Sequence, residues 1–557
     1  WDGTDEQAHV QVTGLREDGR AEPVRATVAL ISPDERRALA LVDNSVYVLE
    51  VPVVGGETPT VSVAEPASAS VPVRKLTEIG GQFPVWSQDG QAHWSIGNAH
   101  FIYDIADAVL QGAAYTATEI RVNVDAERDI PDGFGVLRGG RVVTMRGHEV
   151  IENGDLVVQG NRILAVGRRG TVQFPDFARI FDVSGTTIVP GFVDTHAHMR
   201  PSYGVHKTQP WTYLANLAYG VTTTRDPQTS TTDVLTYGDL VETGAIVGPR
   251  IYSTGPGVFS AEQIEDLDHA RNVLSRYSDY YDTKTIKMYL SGNRQQRQWI
   301  LMAAKEQELL PTTEGGLDMR YNMEMLIDGY PGQEHSFPVY PIYRDVVNLV
   351  AETGSAYTPT LLVSYGGPFG ENYFFTRENP HDDQKLRRFT PHEVIDGLTR
   401  RRGEGVDPGP GGWFMDDEYV FQDHAVGVKS IVEAGGRVGV GSHGQLQGLG
   451  YHWELWAMHS GGLAEHDALR AATILGAEAI GLDEDLGTLE PGKLADMVVL
   501  SGNPLDDIRH TNSVRYVMKN GRLYDGETLD EFWPREQVLE ALGWQSDEPD
   551  GVSAGIR

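Results

Sequence analysis

Between residues 188 and 443 the chain repeats one pattern, a short apolar and β-branched run followed by a helical pattern, at a spacing of roughly 30 residues. The strand-like runs fall at 188–198, 221–225, 251–254, 285–290, 310–314, 333–335, 356–363 and 438–443. Helical periodicity lies between them, for example at 261–280, 295–309, 342–352 and 424–434. Parallel strands need long crossover connections, usually helices. The alternation therefore predicts an α/β fold, and the eight runs predict a (β/α)8 TIM barrel over 190–469.

Two all-β stretches flank this region. Arg141-Val142-Val143, Gly154 to Val158, Arg162 to Gly167 and Thr187-Ile188-Val189 precede it, and Gly487 to Leu500 with 514–523 follow it. They predict a small composite β-sandwich built from 136–189 and 470–530, with 531–557 as a C-terminal tail. Residues 1–135 also read as all-β. Within them, Ser32-Pro33-Asp34 leading to Val46-Tyr47-Val48 resembles Trp86-Ser87-Gln88-Asp89-Gly90 leading to Phe101-Ile102-Tyr103, the two copies lying about 55 residues apart. A turn with a Ser-x-Asp core before two short strands resembles successive blades of a TolB-like β-propeller. Propellers close with at least four blades, so this segment is expected to be an incomplete propeller. A second chain or an N-terminal fragment would complete it. Residue 1 is Trp and no basic-then-apolar signal follows, which reads as a mature or truncated chain.

The stretch Pro190-Gly191-Phe192-Val193-Asp194-Thr195-His196-Ala197-His198 carries the most chemistry. Residues i and i+2 of a strand share a face. His196 and His198 would thus both enter a barrel lumen at the strand's C-terminal end, where barrel active sites lie and where two imidazoles can chelate a divalent ion. Together with the flanking sandwich and the run Gly487-Thr488-Leu489-Glu490-Pro491-Gly492-Lys493-Leu494-Ala495-Asp496, the segment resembles the amidohydrolase superfamily over roughly 136–525, and within it the imidazolonepropionase-like enzymes that follow a TolB-like propeller.

That resemblance implies further metal ligands at later strand ends. Lys287 stands at the fourth, where the family suggests a lysine carboxylated by CO2 and able to bridge two metals; the bland alternative is a strand-end lysine paired with a carboxylate. His335 fits the sixth, and strict alternation lets only one of Glu334 and His335 face the lumen. Two positions depart from the family pattern. Glu314 stands where the fifth strand commonly offers a histidine, and carboxylate oxygen suits Zn, Mn or Fe. His443 replaces the aspartate of the eighth strand; with an ordinary pKa of about 6.5 it suits a base, a ligand, or both. One or two ions, zinc first, are both compatible with this set. His206 and His452 are candidates for a supporting layer, Arg294 and Arg297 for holding a substrate carboxylate, and the Gly- and Pro-rich stretch from Gly366 to Gly412 for a lid.

Composition limits the alternatives. A formal net charge of -33, from 79 Asp and Glu against 46 Lys and Arg, repels phosphate backbones and disfavours nucleic-acid partners. No apolar run is long enough to span a bilayer. With no cysteine, thiolate metal sites and Cys nucleophiles are excluded. P-loop and GxSxG signatures are absent, so a P-loop nucleotide site and a lipase-like serine have no support. The expectation is a periplasmic or secreted metal-dependent hydrolase acting on an amide, cyclic amide or peptide C–N bond of a small molecule or peptide. It would work beside a propeller-completing chain or as a homo-oligomer. The alternatives are an esterase or lactonase on the same site, or a non-catalytic scaffold with a degenerate barrel.

Overall fold

The computed structural model describes residues 8–15, 22–53, 55–399 and 414–547. It divides into two compact units: Trp1–Asp125 with Val258–Lys284 and Tyr289–Leu309, and Ala126–Gly257 with Thr285–Met288 and Leu310–Arg557.

The first unit holds two four-stranded antiparallel sheets. One runs Val28–Ile31, Arg37–Val42, Ser45–Glu50 and Val73–Lys75; the other runs Gln82–Trp86, Ala92–Ile96, Ala99–Tyr103 and Thr118–Arg121. The resemblance between the two Ser-x-Asp turns extends to their bonding. In each, the serine hydroxyl donates to the aspartate two residues on, and the same oxygen accepts a backbone N–H, from Arg37 at 3.0 Å and from Gln91 at 2.9 Å. The following hairpins turn on two residues each, Asp43-Asn44 and Gly97-Asn98, with left-handed φ of 53° and 52° at the first position. The same unit contains the helices Leu267–Ser275 and Arg294–Glu306. Inside it, Glu262 and Arg276 form a buried ion pair at 2.6 Å, and Arg276 Nε also donates to the carbonyl of Ile79 at 2.8 Å.

In the second unit a nine-stranded sheet joins distant segments. Its middle is the antiparallel pair Thr187–Pro190 and Met497–Leu500, with Ile188 opposite Val499. Phe134–Val143 continues the sheet on one side and Val514–Lys519 on the other. Leu137, Val142, Leu156, Ile163, Ile188, Met497 and Val499 form its core. The last strand, Glu531–Trp533, lies within the segment read from sequence as a tail.

The rest of this unit is TIM-barrel-like. Phe192–Asp194, Val221–Asp226 and Arg250–Ser253 pair in parallel, as do Thr285–Tyr289, Leu310–Thr313, Gly332–Glu334 and Ala356–Thr358. Segment 438–440 links the two sets: Val438 bridges Tyr357 in parallel, and Thr195 N–H donates to the Val440 carbonyl at 2.9 Å.

Three expectations need correction. The run 188–198 is not one strand but two, broken at Gly191, where a Cβ would sit 2.1 Å from Thr222 Oγ1. The run 438–443 keeps one bridge and then turns; Gly441 lies so close to His196 that a Cβ would be 2.7 Å from the histidine's own. The stretch read as a lid contains the helices Gly370–Arg377, Gln384–Phe389 and His392–Thr399, and its remainder, 400–413, lies outside the described residues.

Burial alone would push the Glu262 carboxyl up, but the Arg276 guanidinium offsets this and holds it below its ordinary value. A carboxylate lowered in the folded state contributes stability above its unfolded pKa and loses it as pH falls through the folded one. Glu262→Ala should therefore cost about 3–5 kcal/mol at neutral pH by stranding Arg276, read as a fall in urea midpoint. The deficit should shrink on acidification below the ordinary glutamate pKa.

Candidate metal centre

His196 and His198 follow the strand Phe192–Asp194, and both turn into one cluster with His335 and His443. Ring centroids lie 5.0 Å apart for His196 and His198, 4.9 Å for His196 and His335, 5.0 Å for His196 and His443, and 4.7 Å for His198 and His443. One ligand atom each from His196, His335 and His443 falls within 4.8 Å of the others. His198 Nε2 is 3.3 Å from His196 Nε2.

The outer nitrogens explain why the inner ones converge. His196 Nδ1 contacts Glu334 Oε2 at 2.7 Å, His335 Nδ1 contacts Thr360 Oγ1 at 2.7 Å, and His198 Nδ1 contacts the Gln228 carbonyl at 3.2 Å. A proton on each Nδ1 leaves the Nε2 lone pair for the interior. Burial, then Lys287 and the neighbouring imidazoles, push the pKa of His196 well below its ordinary value; burial, then His198, His335 and Lys287, do the same for His443. The rings are therefore neutral, which is the form that binds a metal. Nδ1 of His443 is buried and has no hydrogen-bond partner among the described residues.

Lys287 and Glu314 adjoin the imidazoles. Lys287 Nζ lies 2.6 Å from Glu314 Oε2, and Glu314 Oε1 lies 3.3 Å from His335 Nε2. Burial raises the Glu314 carboxyl, but Lys287 and then His335 hold it down at about 2, so it is an anion at any physiological pH. All six residues singled out from sequence thus meet in one place: His196, His198, Lys287, Glu314, His335 and His443.

Three functional residues escaped the sequence reading. Glu334 was expected to point away from His335, yet both side chains reach His196. The strand Gly332–Glu334 ends there, and His335 takes a left-handed φ of 64°, which cancels the alternation. Behind Glu334 stands Arg225, whose side chain is only 2% exposed. Its Nη1 donates to Glu334 Oε1 at 2.7 Å, while Nε and Nη2 donate to Thr285 and Thr312 hydroxyls, both at 2.8 Å. A charged residue inside the run Val221-Thr222-Thr223-Thr224-Arg225-Asp226 was the available signal. Asp194 anchors the first loop: its Oδ1 accepts the backbone N–H groups of His196 and Ser442, both at 3.1 Å, and burial pushes its carboxyl up to about 6.

The other candidates serve elsewhere. His452 is buried between the Tyr219 carbonyl, 2.9 Å away, and Thr511 Oγ1, 3.1 Å away. His206 pairs with Asp233 at 2.8 Å. Arg297 donates to its own loop at the Gly292 carbonyl, and Arg294 begins the helix Arg294–Glu306.

The set of neutral imidazoles, one lysine and one carboxylate fits a borderline divalent ion such as zinc. A profile described as Amidohydrolase family matches residues 187–524, more than half of the chain. The chain belongs to the amidohydrolase family. Imidazolonepropionase from Geobacillus thermodenitrificans (strain NG80-2) is 22% identical over 415 residues, covering 68% of this chain and 92% of that protein. The 5-methylthioadenosine/S-adenosylhomocysteine deaminase of Teredinibacter turnerae (strain ATCC 39867 / T7901) is 44% identical over only 62 residues, 11% of this chain and 14% of the deaminase. Among solved structures, a Xaa-Pro dipeptidase with bound methionine superposes with a TM-score of 0.54 at 20% identity, covering 71% of this chain and 100% of that one. An ochratoxinase of A. niger gives 0.52 at 18% identity, with 71% and 96% covered. These likenesses show a shared TIM-barrel-like α/β fold.

Glu334→Gln, which weakens the grip on His196 Nδ1 and on Arg225, should lower zinc affinity about 10- to 100-fold. Competition against a fluorescent chelator measures this, and unchanged affinity would show that Glu334 does not orient the ligand.

Proposed function

We propose that this protein is a metal-dependent hydrolase that cleaves an amide, cyclic-amide or peptide C–N bond within a closed (β/α)8 barrel. The observation that carries this reading is the convergence of four imidazoles, two buried and two partly buried, three of them with Nδ1 turned outward onto a partner. His196, His198 and His335 would hold the ion, and zinc suits them best. When bound, a divalent ion supplies Lewis acidity toward the scissile carbonyl and a water molecule.

His443 has one free lone pair on Nδ1, available to an ion or to a proton. We assign it the proton: Nδ1 takes it from the attacking water and returns it to the leaving nitrogen. Burial makes this imidazole a poor resting store for a proton, which favours rapid delivery to the far more basic amine.

For Lys287 we propose a carbamate formed with CO2. Lys287 and Glu314 attract each other as cation and anion; to react, the amine gives its protons up to solvent and its lone pair forms the N–C bond to CO2. Carboxylation would set two anions at that spacing, a repulsion that only a cation between them offsets. Carboxylation and occupancy by a second ion are therefore coupled. Bicarbonate should add one zinc equivalent at the imidazole cluster, and Lys287→Ala should remove that increment.

The substrate class we favour is small: an acylated amino acid, a dipeptide or an imide-like ring. The dipeptidase and imidazolonepropionase named above support that choice. The paired four-stranded sheets support the propeller reading for the first unit, with a further chain supplying additional blades, and the location we favour is periplasmic or secreted. Native mass spectrometry tests the partner: the chain alone, with an ordered first unit, would refute it.

Two variants test the chemistry. His196→Ala with His198→Ala should abolish zinc binding at the imidazole cluster and turnover of N-acyl amino acids and dipeptides; retained turnover would refute the site. His443→Gln should keep its zinc while kcat falls about 10^2- to 10^4-fold. Loss of zinc instead would make His443 a ligand rather than the proton carrier.

A further inference from the structure

A second group of metal-binding side chains lies apart from the imidazole cluster. His381 sits in the 3₁₀ turn Pro380–Asp382, and His392 and Asp396 occupy one face of the helix His392–Thr399, four residues apart. One ligand atom from each falls within 4.8 Å of the other two. The two rings meet edge to face with centroids 6.0 Å apart.

Both histidines lie within ion-pair range of the shared carboxylate without being hydrogen-bonded to it. His381 Nε2 is 3.8 Å from Asp396 Oδ1 and His392 Nε2 is 3.5 Å from Asp396 Oδ2, both too long for hydrogen bonds. Donors held 2.0–2.2 Å from one tetrahedral ion lie roughly 3.4 Å from one another. The observed separations match a ligand cage better than a hydrogen-bonded triad. His381 Nε2 also rests 3.0 Å from Thr399 Oγ1, whose own proton goes to the Ile395 carbonyl at 2.8 Å. That hydroxyl therefore accepts, and ligation through Nε2 would replace this hydrogen bond, with the ring's proton carried on Nδ1.

We propose that His381, His392 and Asp396 form a binding site for one divalent transition-metal ion, zinc by preference, with water completing the tetrahedron. All three side chains are partly exposed, at 36%, 32% and 41%, so the site exchanges with solvent. The ion would clamp the turn at 380–382 to the helix at 392–399 across the short helix Gln384–Phe389. Ligation of that kind stabilises the folded segment by mass action. This inference does not depend on the catalytic reading.

Zinc titration of the full-length His196→Ala/His198→Ala variant, with binding followed by calorimetry, isolates the second site. One saturable equivalent with micromolar or tighter affinity is expected, and adding His381→Ala and His392→Ala should remove it. Cobalt in the same background should give the intense visible bands of a tetrahedral site, lost with the same two changes. Asp396→Asn, which keeps shape and both imidazoles, should weaken binding at least tenfold. In otherwise unaltered protein, His381→Ala/His392→Ala should cost one zinc equivalent and leave turnover unchanged. An equivalent that survives those two replacements, or binding seen only at millimolar zinc, would overturn the site.

Discussion

The buried pair between Arg225 and Glu334 is the interaction on which the site depends. It joins the strand Val221–Asp226 to Gly332–Glu334, and the same guanidinium reaches Thr285 and Thr312 on two strands between them in barrel order. Four strand ends are thus tied to one side chain. Taking both charges out of water costs several kcal/mol each, offset here because nearly every donor finds an acceptor. The carboxylate's other oxygen then fixes the His196 tautomer. A structural ion pair and a ligand-orienting contact are the same object, so neither role can be altered without the other.

How much of this was legible in the sequence varies by residue. His196 and His198 were readable from their His-x-His spacing, although both lie just beyond the end of the strand Phe192–Asp194. Glu334 was hidden by the same rule: the left-handed His335 turns the chain so that consecutive side chains serve one pocket. His443, also left-handed at φ 62°, was found by its place in the repeat rather than by strand geometry, since almost no strand exists there. Helices in the segment after Ala356–Thr358 were masked by glycines and prolines that mark their boundaries. Arg225 and Asp194 needed the fold, because nothing in a linear chain reveals which buried charges will meet.

The cluster is electrically economical. Burial keeps His196 and His443 neutral, and the one strong anion beside them, Glu314, is balanced by Lys287. The site therefore carries little net charge before a cation arrives, despite the acidic surface around it. The departures from the family pattern, glutamate for histidine and histidine for aspartate, exchange charge between two strand ends and leave the total for the cluster unchanged.

The pairing of Thr187–Pro190 with Met497–Leu500 has a consequence for biogenesis. Ile188 leaves the ribosome long before Val499, its partner, is synthesised. Until then the strand that leads directly into the metal-binding loop has an open, apolar edge, and such edges invite association with other chains. Completion of this sheet consequently waits until residues 497–500 have emerged, and the strand Thr187–Pro190 needs shielding until then.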